Sequence, residues 1–158
     1  MKLIFTLFAC LFFQFSFSQK LDIHALEKII DASLHSADSL LKAAKFSLTD
    51  KQVTKEYINY YYTSYERKEL FEHMLRSLTF MDIYDGKDTS RLILYRTYYV
   101  DEQEALKKQL LANGYELKQQ VGTSYIYKKD GFTITNKITE KKSVGSKPKT
   151  AFEFELGR

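Results

Sequence analysis

The sequence contains little cysteine, proline and glycine, and it contains no tryptophan. Cys10 is the only cysteine and lies in a segment that we expect to be removed. The remaining chain would then have no disulfide, no thiolate zinc site and no cysteine nucleophile. The six glycines form neither a GxGxxG nor a GxxxxGK motif, and no serine lies in a GxSxG motif. The common phosphate-binding loops and the nucleophile elbow of α/β-hydrolases are therefore excluded.

Residues 1–18 have the order of parts that is typical of a secretory signal peptide. A positive charge at Lys2 precedes the apolar run Leu3–Phe13, and serines occupy the positions one and three before Gln19. The apolar run is shorter than the roughly 20 residues that a membrane-spanning helix needs. We expect cleavage near Ser18/Gln19 and a periplasmic or secreted protein, which would touch a membrane only through this segment before cleavage.

Two other interpretations of the N-terminus stay open. An uncleaved anchor would require the short apolar run to remain in the membrane. A lipoprotein would be acylated at Cys10, but cleavage there would leave too short an apolar stretch before the cysteine and an exposed apolar stretch after it.

The net charge of +4 is a mild excess, and most charges of opposite sign are interspersed. The one basic cluster surrounds Pro148 and is expected to be a hairpin loop, as a solvated turn or as a contact for an anionic surface. It consists of Lys141, Lys142, Lys147 and Lys149. No recognition-helix or RNA-binding pattern accompanies it, so we expect no nucleic-acid partner.

Two helices are predicted from apolar residues that recur every three or four positions. Leu21–Ala44 predicts an amphipathic helix of about six turns. Glu102–Ala112 predicts a second helix, with Asp101 as its N-cap and Asn113–Gly114 at its end.

The same kind of sequence follows each helix: an aromatic-x-Leu strand, a polar bend, a tyrosine-rich strand and a hairpin. In the first copy, Thr79–Tyr84 turns at Asp85–Gly86 into Arg91–Val100. In the second copy, Phe132–Ile138 pairs with Ala151–Leu156. Alternation in this last hairpin predicts one apolar face and one polar face.

These patterns predict an α+β fold built as a tandem repeat, in which each helix precedes antiparallel strands and the helices pack on one face of the sheet or sheets. The first repeat would span residues 19–100 and the second residues 101–158, either as separate units or as one continuous globular unit. The element order resembles the tandem layout of the beta-lactamase inhibitory proteins and the helix-plus-sheet module of an outer-membrane assembly lipoprotein. Those inhibitors carry disulfides that this chain cannot form, and the resemblance implies a binding role without a particular partner.

The segment Glu66–Leu78 is ambiguous. Its apolar residues are spaced as on a helix, whereas the repeat requires a strand there. The spacing favours a short helix or an irregular segment.

Candidate catalytic groups are sparse. His24 and His35 are about 16 Å apart along the predicted helix, which is too far to share a metal ion, and His73 lacks the HExxH spacing. The acidic cluster Asp82–Asp88 surrounds Gly86, where aspartate is common in turns, and it lacks the order of a calcium loop. We therefore predict no catalytic residue, no metal site and no cofactor.

Tyrosine is the most unusual feature of the composition. Nine of the twelve tyrosines lie between Tyr57 and Tyr99. A strand over Tyr57–Tyr65 would place Tyr57, Tyr61 and Tyr65 on one face together with Asn59 and Thr63. Ile58, Tyr60 and Tyr62 would lie on the other face. Solvent-facing tyrosines are enriched in protein contact surfaces, although they also stiffen sheets by cross-strand pairing. The predicted binding residues are Tyr57, Tyr61, Tyr65, Tyr95 and Tyr99.

The leading hypothesis is an exported, non-enzymatic binding module that presents this tyrosine-rich sheet face to another envelope or extracellular protein. An inhibitor or immunity protein is one version of this hypothesis. One alternative is an envelope hydrolase that uses carboxylates or His73. The other is an envelope structural component or small-ligand carrier.

Overall fold

A computed structural model describes residues 20–68, 71–86, 88–141 and 149–158 of the chain. It gives the backbone alone for residues 66–68, 71–75, 141 and 149. The predicted signal peptide and most of the predicted lysine-rich loop lie outside the described residues. In the described ranges, no helix has the length and apolar character needed to cross a membrane.

The first predicted helix is two helices. Helix α1 spans Ile23–Asp31 and helix α2 spans Leu34–Ala43, so the prediction of one continuous helix was wrong. The chain is extended at Ala32, and Ser33 begins the new helix by accepting a hydrogen bond from the N–H group three residues later. Because serine offers the backbone this alternative partner, it favours a helix start over a helix interior.

Helix α3 spans Val100–Ala112 and begins two residues earlier than its sequence pattern indicated. The predicted N-cap at Asp101 was wrong. That residue lies in the first turn, where its carboxylate contacts Lys20 at 3.4 Å, while Tyr99 occupies the cap position without a side-chain hydrogen bond. The predicted end is confirmed, and Gly114 there adopts a φ of 83°, which glycine favours.

The strands form one eight-stranded antiparallel sheet with the order β1-β2-β3-β4-β8-β7-β6-β5. Both predicted hairpins are confirmed, as β3 with β4 and β7 with β8. The strands are β1 Ser47–Val53, β2 Tyr57–Lys68, β3 Phe71–Asp85, β4 Asp88–Thr97, β5 Glu116–Val121, β6 Ser124–Lys129, β7 Phe132–Lys141 and β8 Lys149–Gly157.

The helical or irregular interpretation of Glu66–Leu78 was wrong. The part from Phe71 onward belongs to β3, and Glu66–Lys68 belongs to β2. The two strands pair from Tyr57 opposite Ile83 to Lys68 opposite Phe71, with one register shift after Ser64. This long pairing supplies backbone hydrogen bonds along both strands, which outweighs the local helical spacing of the side chains.

A single cluster of buried apolar side chains joins the helices to the sheet. From the helices it contains residues such as Ile23, Leu41, Leu106 and Leu110. Its strand members lie on one face of the sheet, because cross-strand partners share a face. They include Tyr60, Tyr62, Leu78, Phe80, Ile93, Tyr95, Tyr127, Ile134, Phe152, Phe154 and Leu156. The predicted alternation of the last hairpin is confirmed.

The chain segments before β1 and before β5 end their helices in the same way. The N–H group of Phe46 donates a hydrogen bond to the carbonyl of Leu41 at 2.9 Å. The N–H group of Tyr115 donates one to the carbonyl of Leu110 at 3.0 Å. The following strands each contain a register shift two residues further on, between Leu48/Asp50 and between Leu117/Gln119.

Candidate binding surface

Strand β2 divides its tyrosines between the two faces of the sheet. Tyr60 and Tyr62 are buried in the core. Tyr57 and Tyr61 are half-buried on the opposite face, and Tyr65 is 45 % exposed. We call this second side of the sheet the open face. Three of the five predicted binding residues therefore lie along one strand with rings accessible to solvent.

Tyr95 does not lie on this surface, because it is buried on the opposite face of the sheet. Its side chain has no exposed area, and its hydroxyl donates a hydrogen bond to the buried carboxylate of Glu102. Tyr99 directly precedes α3 and is half-buried, with its ring 5.1 Å from the guanidinium carbon of Arg76. Because Arg76 is buried on the core side of β3, this contact places Tyr99 apart from Tyr57 and Tyr61.

Side chains from β3 and β4 continue the open face beside β2. In one row across the sheet, Asn59 pairs with Met81, which pairs with Leu92. In the next row, Tyr61 pairs with Thr79, which pairs with Leu94. The next row contains Thr63, Ser77 and Arg96. Together these three strands form a groove of about 350 Å³, lined by Asn59, Tyr61, Thr63, Thr79, Met81 and Leu94.

Hydrogen bonds fix the tyrosine at the middle of this groove. The Nδ2 atom of Asn59 donates to the hydroxyl of Tyr61 at 3.1 Å, and that hydroxyl donates to Oε1 of Gln52 at 3.1 Å. Because Gln52 lies on the edge strand β1, the chain of bonds ties the ring across two strands. These two bonds favour one orientation of the ring.

Two polar atoms in the groove lack a hydrogen-bond partner among the described residues. They are Oδ1 of Asn59 and Oγ1 of Thr63, and both are buried. The Asn59 residue as a whole is only 5 % exposed. Buried polar atoms in native proteins nearly always have a partner, so these two require an explanation. Sequence reasoning missed both, although it did place the two residues on the same face as Tyr57.

The open face carries paired charges, both at the groove and beyond it. Arg96 contacts Glu153 at 2.6 Å, and Lys137 contacts Glu155 at 3.5 Å. Each pair joins neighbouring strands, and each combines one positive with one negative group. The part of the open face next to the groove therefore has little local net charge.

A buried ionic cluster lies under the start of α3, on the core side. Arg76 contacts the carboxylate of Glu102 at 2.7 Å, and the hydroxyls of Tyr95 and Thr97 donate to the same carboxylate. Burial, and then the negative charge of Glu102, raise the pKa of the Tyr95 hydroxyl well above its usual value. All groups of the cluster have partners, so we interpret it as a structural element and not as a reactive site.

The other candidate catalytic groups do not converge. His24 is largely exposed and is 3.7 Å from Glu27 on the same helix, and His35 is exposed. The backbone of His73 lies in β3, but its side chain is outside the described part. In the acidic turn, Asp82 pairs with Arg91 at 2.7 Å. Among the described residues, no three His, Cys, Asp or Glu side chains are grouped as metal ligands.

Comparisons with known proteins give no relative for this chain. No family model matches the sequence, no curated protein matches it, and no solved structure matches its fold.

Proposed function

We propose that this protein is an exported, non-enzymatic binding module that contacts another protein through the open face of its sheet. The observation that carries the proposal is the position of Tyr57, Tyr61 and Tyr65 on that face, opposite the core. Tyrosine supplies a large apolar area, a hydroxyl group and few rotatable bonds, a combination that favours protein contacts.

The proposal requires the helices to cover the other face. We infer that α1, α2 and α3 all pack on that side, because their buried residues join one cluster with strand residues such as Tyr62, Phe80 and Phe154. A helix on the open face would cover the tyrosines and remove them from any contact surface. Tyr57 and Tyr61 keep part of their surface exposed on the open face, so their rings are available to a partner.

The tandem-repeat interpretation of residues 19–100 and 101–158 belongs to this proposal. It is supported by the symmetric strand order about the central β4·β8 pair. From this pair outward, the strands run from β4 to β1 on one side and from β8 to β5 on the other. It is also supported by the matching helix ends at Phe46 and Tyr115 and by the matching register shifts that follow them. A duplicated unit explains how about 140 residues without disulfides form one continuous sheet.

The location of the partner follows from the proposed signal peptide. Cleavage near Ser18/Gln19 would deliver the chain to the periplasm or the outside of the cell, so the partner is an envelope or extracellular protein. The resemblance in element order to inhibitor proteins is consistent with an inhibitory or immunity role.

Affinity capture from an envelope extract tests the proposal. The purified protein is compared with a variant that carries Tyr57→Ser, Tyr61→Ser and Tyr65→Ser, and captured proteins are quantified by mass spectrometry. A matched control is Tyr84→Ser, because Tyr84 is 40 % exposed but does not lie on the open face. It stands at the end of β3, four residues after the core residue Phe80 and on the same side of the strand. We expect the triple variant to fold and to lose a partner that the control retains.

Two outcomes would contradict the proposal. Equal capture by the triple variant and the Tyr84→Ser control would show that the open-face tyrosines do not contribute to binding. Unfolding of the triple variant, measured by circular dichroism, would show that these side chains serve the core.

A further inference from the structure

The hairpin of β2 and β3 extends beyond both of the strands that flank it. Strand β1 pairs with β2 only as far as Thr63, and β4 pairs with β3 only as far as Arg76. Beyond these points β2 and β3 continue to pair with each other through residues 65–68 and 71–74. At the rise of a strand this two-stranded extension is about 13 Å long. We call residues 65–68 and 71–75 the arm.

Both strands of the arm have an outer edge that the sheet does not cover. Within the described ranges, neither β1 nor β4 pairs with any residue of the arm. An uncovered edge presents a row of backbone N–H and C=O groups, which is a template for pairing with another strand. A ribbon of only two strands is at best marginally stable in water, whereas three or more strands are stable. The arm is therefore expected to gain stability from an additional strand.

The two edges of the arm differ in sequence. The β2 edge contains two positive residues, Arg67 and Lys68. Charged residues, lysine above all, protect an exposed edge against pairing, and the outermost strands β1 and β5 contain Lys51 and Lys118. The β3 edge contains no lysine, arginine or proline, and its sequence is Phe71, Glu72, His73, Met74 and Leu75. The β3 edge is therefore the one that is open to pairing.

The sequence of the β3 edge is complementary to a second copy of itself. In an antiparallel pair of identical strands, opposed residues share a face, so a two-fold axis must pass through a residue that lies opposite its own copy. Only an axis at His73 pairs every residue of the edge. Phe71 of each copy is then opposite Leu75 of the other, and apolar pairs of this kind stabilise antiparallel strands.

We propose that two copies of this chain associate through the β3 edges of their arms. The product is a four-stranded antiparallel ribbon in the order β2-β3-β3-β2, with a two-fold axis at His73. The contact involves only residues 71–75 of each chain, far fewer than the roughly 20–30 residues on each side of a standard interface. We therefore expect a weak dimer with a Kd on the order of 10–100 µM.

Sedimentation equilibrium of the purified protein between about 5 and 500 µM tests the dimer, since this range brackets the expected Kd. The variant His73→Lys places two positive charges opposite each other at the axis, and like charges at opposed positions destabilise strand pairing. Within the arm, position 73 is opposite Glu66, so the substitution favours the hairpin itself. We expect its Kd to rise at least about tenfold. The matched control is His35→Lys, which makes the same change at an exposed position of α2 and should dimerise like the wild type.

A charge-swap experiment locates the axis. A second variant combines His73→Glu with Glu66→Lys, so that opposite charges still face each other within its arm. Alone, this protein should also fail to dimerise, because two negative charges meet at the axis. Mixing it with the His73→Lys protein places opposite charges across the axis, so a heterodimer should form. A variant whose arm had merely lost its structure would not be rescued by mixing.

Three results would overturn the proposal. They are a wild type that stays monomeric over the whole range, a His73→Lys protein that dimerises like the wild type, and a mixture that forms no heterodimer. A dimer that depends on Tyr57 and Tyr61 instead of His73 would also overturn it, because it would place the interface on the open face. The proposed function is tested separately, since the His73→Lys protein should still capture the partner of the open face.

Discussion

Arg76 and Glu102 form a buried ion pair that joins β3 to the first turn of α3. The guanidinium and carboxylate are 2.7 Å apart, and their side chains are only 6 % and 2 % exposed. Tyr95 and Thr97 donate further hydrogen bonds to the carboxylate. Because each charge has lost its hydration shell, the partner is the main group that compensates it.

We predict that Glu102→Gln strongly destabilises the protein. The substitution keeps the shape of the side chain but leaves the charge of Arg76 buried and uncompensated, which costs about 3–5 kcal/mol of the free energy of unfolding. Urea denaturation measures the change. The neighbouring Asp101→Asn is the control, because its ion pair with Lys20 is exposed and removing it costs about 1 kcal/mol or less. Equal effects of the two substitutions would contradict the structural role of the buried pair.

Two adjacent leucines of α3 provide a second test. Leu110 has no exposed area, whereas Leu111 is 60 % exposed. We expect Leu110→Ala to cost about 2–5 kcal/mol because it creates a cavity. We expect Leu111→Ala to change stability by less than about 0.5 kcal/mol, as is usual for surface positions. Thermal denaturation of both variants distinguishes this orientation of α3 from one rotated by a residue.

Stability is expected to fall in alkaline solution because of Tyr62. Burial, followed by the nearby charge of Asp38, raises the pKa of Tyr62 from 10.0 to about 12. Between these pH values the unfolded chain loses the phenolic proton while the folded protein keeps it, so the free energy of unfolding decreases as the pH rises. Below pH 10 this contribution to stability is fully present.

The variant Tyr62→Phe checks this prediction. It should show a smaller loss of stability than the wild type when urea denaturation is repeated between pH 10 and pH 12. In a pH titration followed by the absorbance of tyrosinate, the variant should have one tyrosine fewer that ionises at high pH. Identical pH dependence in both proteins would exclude Tyr62 as a source of the effect.

The matching helix ends predict opposite effects of two glycine substitutions. Lys45 follows α2 at the position that Gly114 occupies after α3. The φ angle is 61° at Lys45 and 83° at Gly114. A left-handed conformation costs a non-glycine residue about 1–2 kcal/mol, and glycine loses about 0.5–1 kcal/mol more chain entropy on folding. Lys45→Gly should therefore stabilise the protein by about 0.5–1 kcal/mol, and Gly114→Ala should destabilise it by a similar amount.

Thermal denaturation measures both glycine effects. The expected effect of Gly114→Ala comes from the backbone conformation and not from a steric clash, because an added Cβ at Gly114 would meet no atom within 4 Å. Destabilisation by Lys45→Gly would contradict the equivalence of the two helix ends.

The features that the sequence predicted are those determined by short-range patterns. Alternation along Phe132–Ile138 placed one face in the core, and Asn113–Gly114 ended a helix, because both signals depend on neighbouring residues only. The break at Ser33 was missed because the apolar spacing continues across it. The segment Glu66–Leu78 was misassigned because its strand depends on pairing with β2, a non-local interaction.

The candidate site was predicted in part for the same reason. The face of Tyr57, Tyr61 and Tyr65 follows from alternation in a single strand. Tyr95 could not be separated from them, because its burial depends on the position of β4 in the sheet and on Glu102. One signal was available and not used: Glu102 lies four residues before Leu106 in the apolar stripe of α3, which places a charge on the buried side of the helix.

Site-specific photo-cross-linking at the open face tests the account most directly. A photoreactive phenylalanine analogue replaces Tyr65 in one protein and Tyr84 in another, in the cells that naturally produce the chain. These two tyrosines have similar exposure, 45 % and 40 %. We predict a discrete cross-linked product with a second protein from position 65 and none from position 84. The same product from both positions, or from position 84 alone, would contradict a contact surface on the open face.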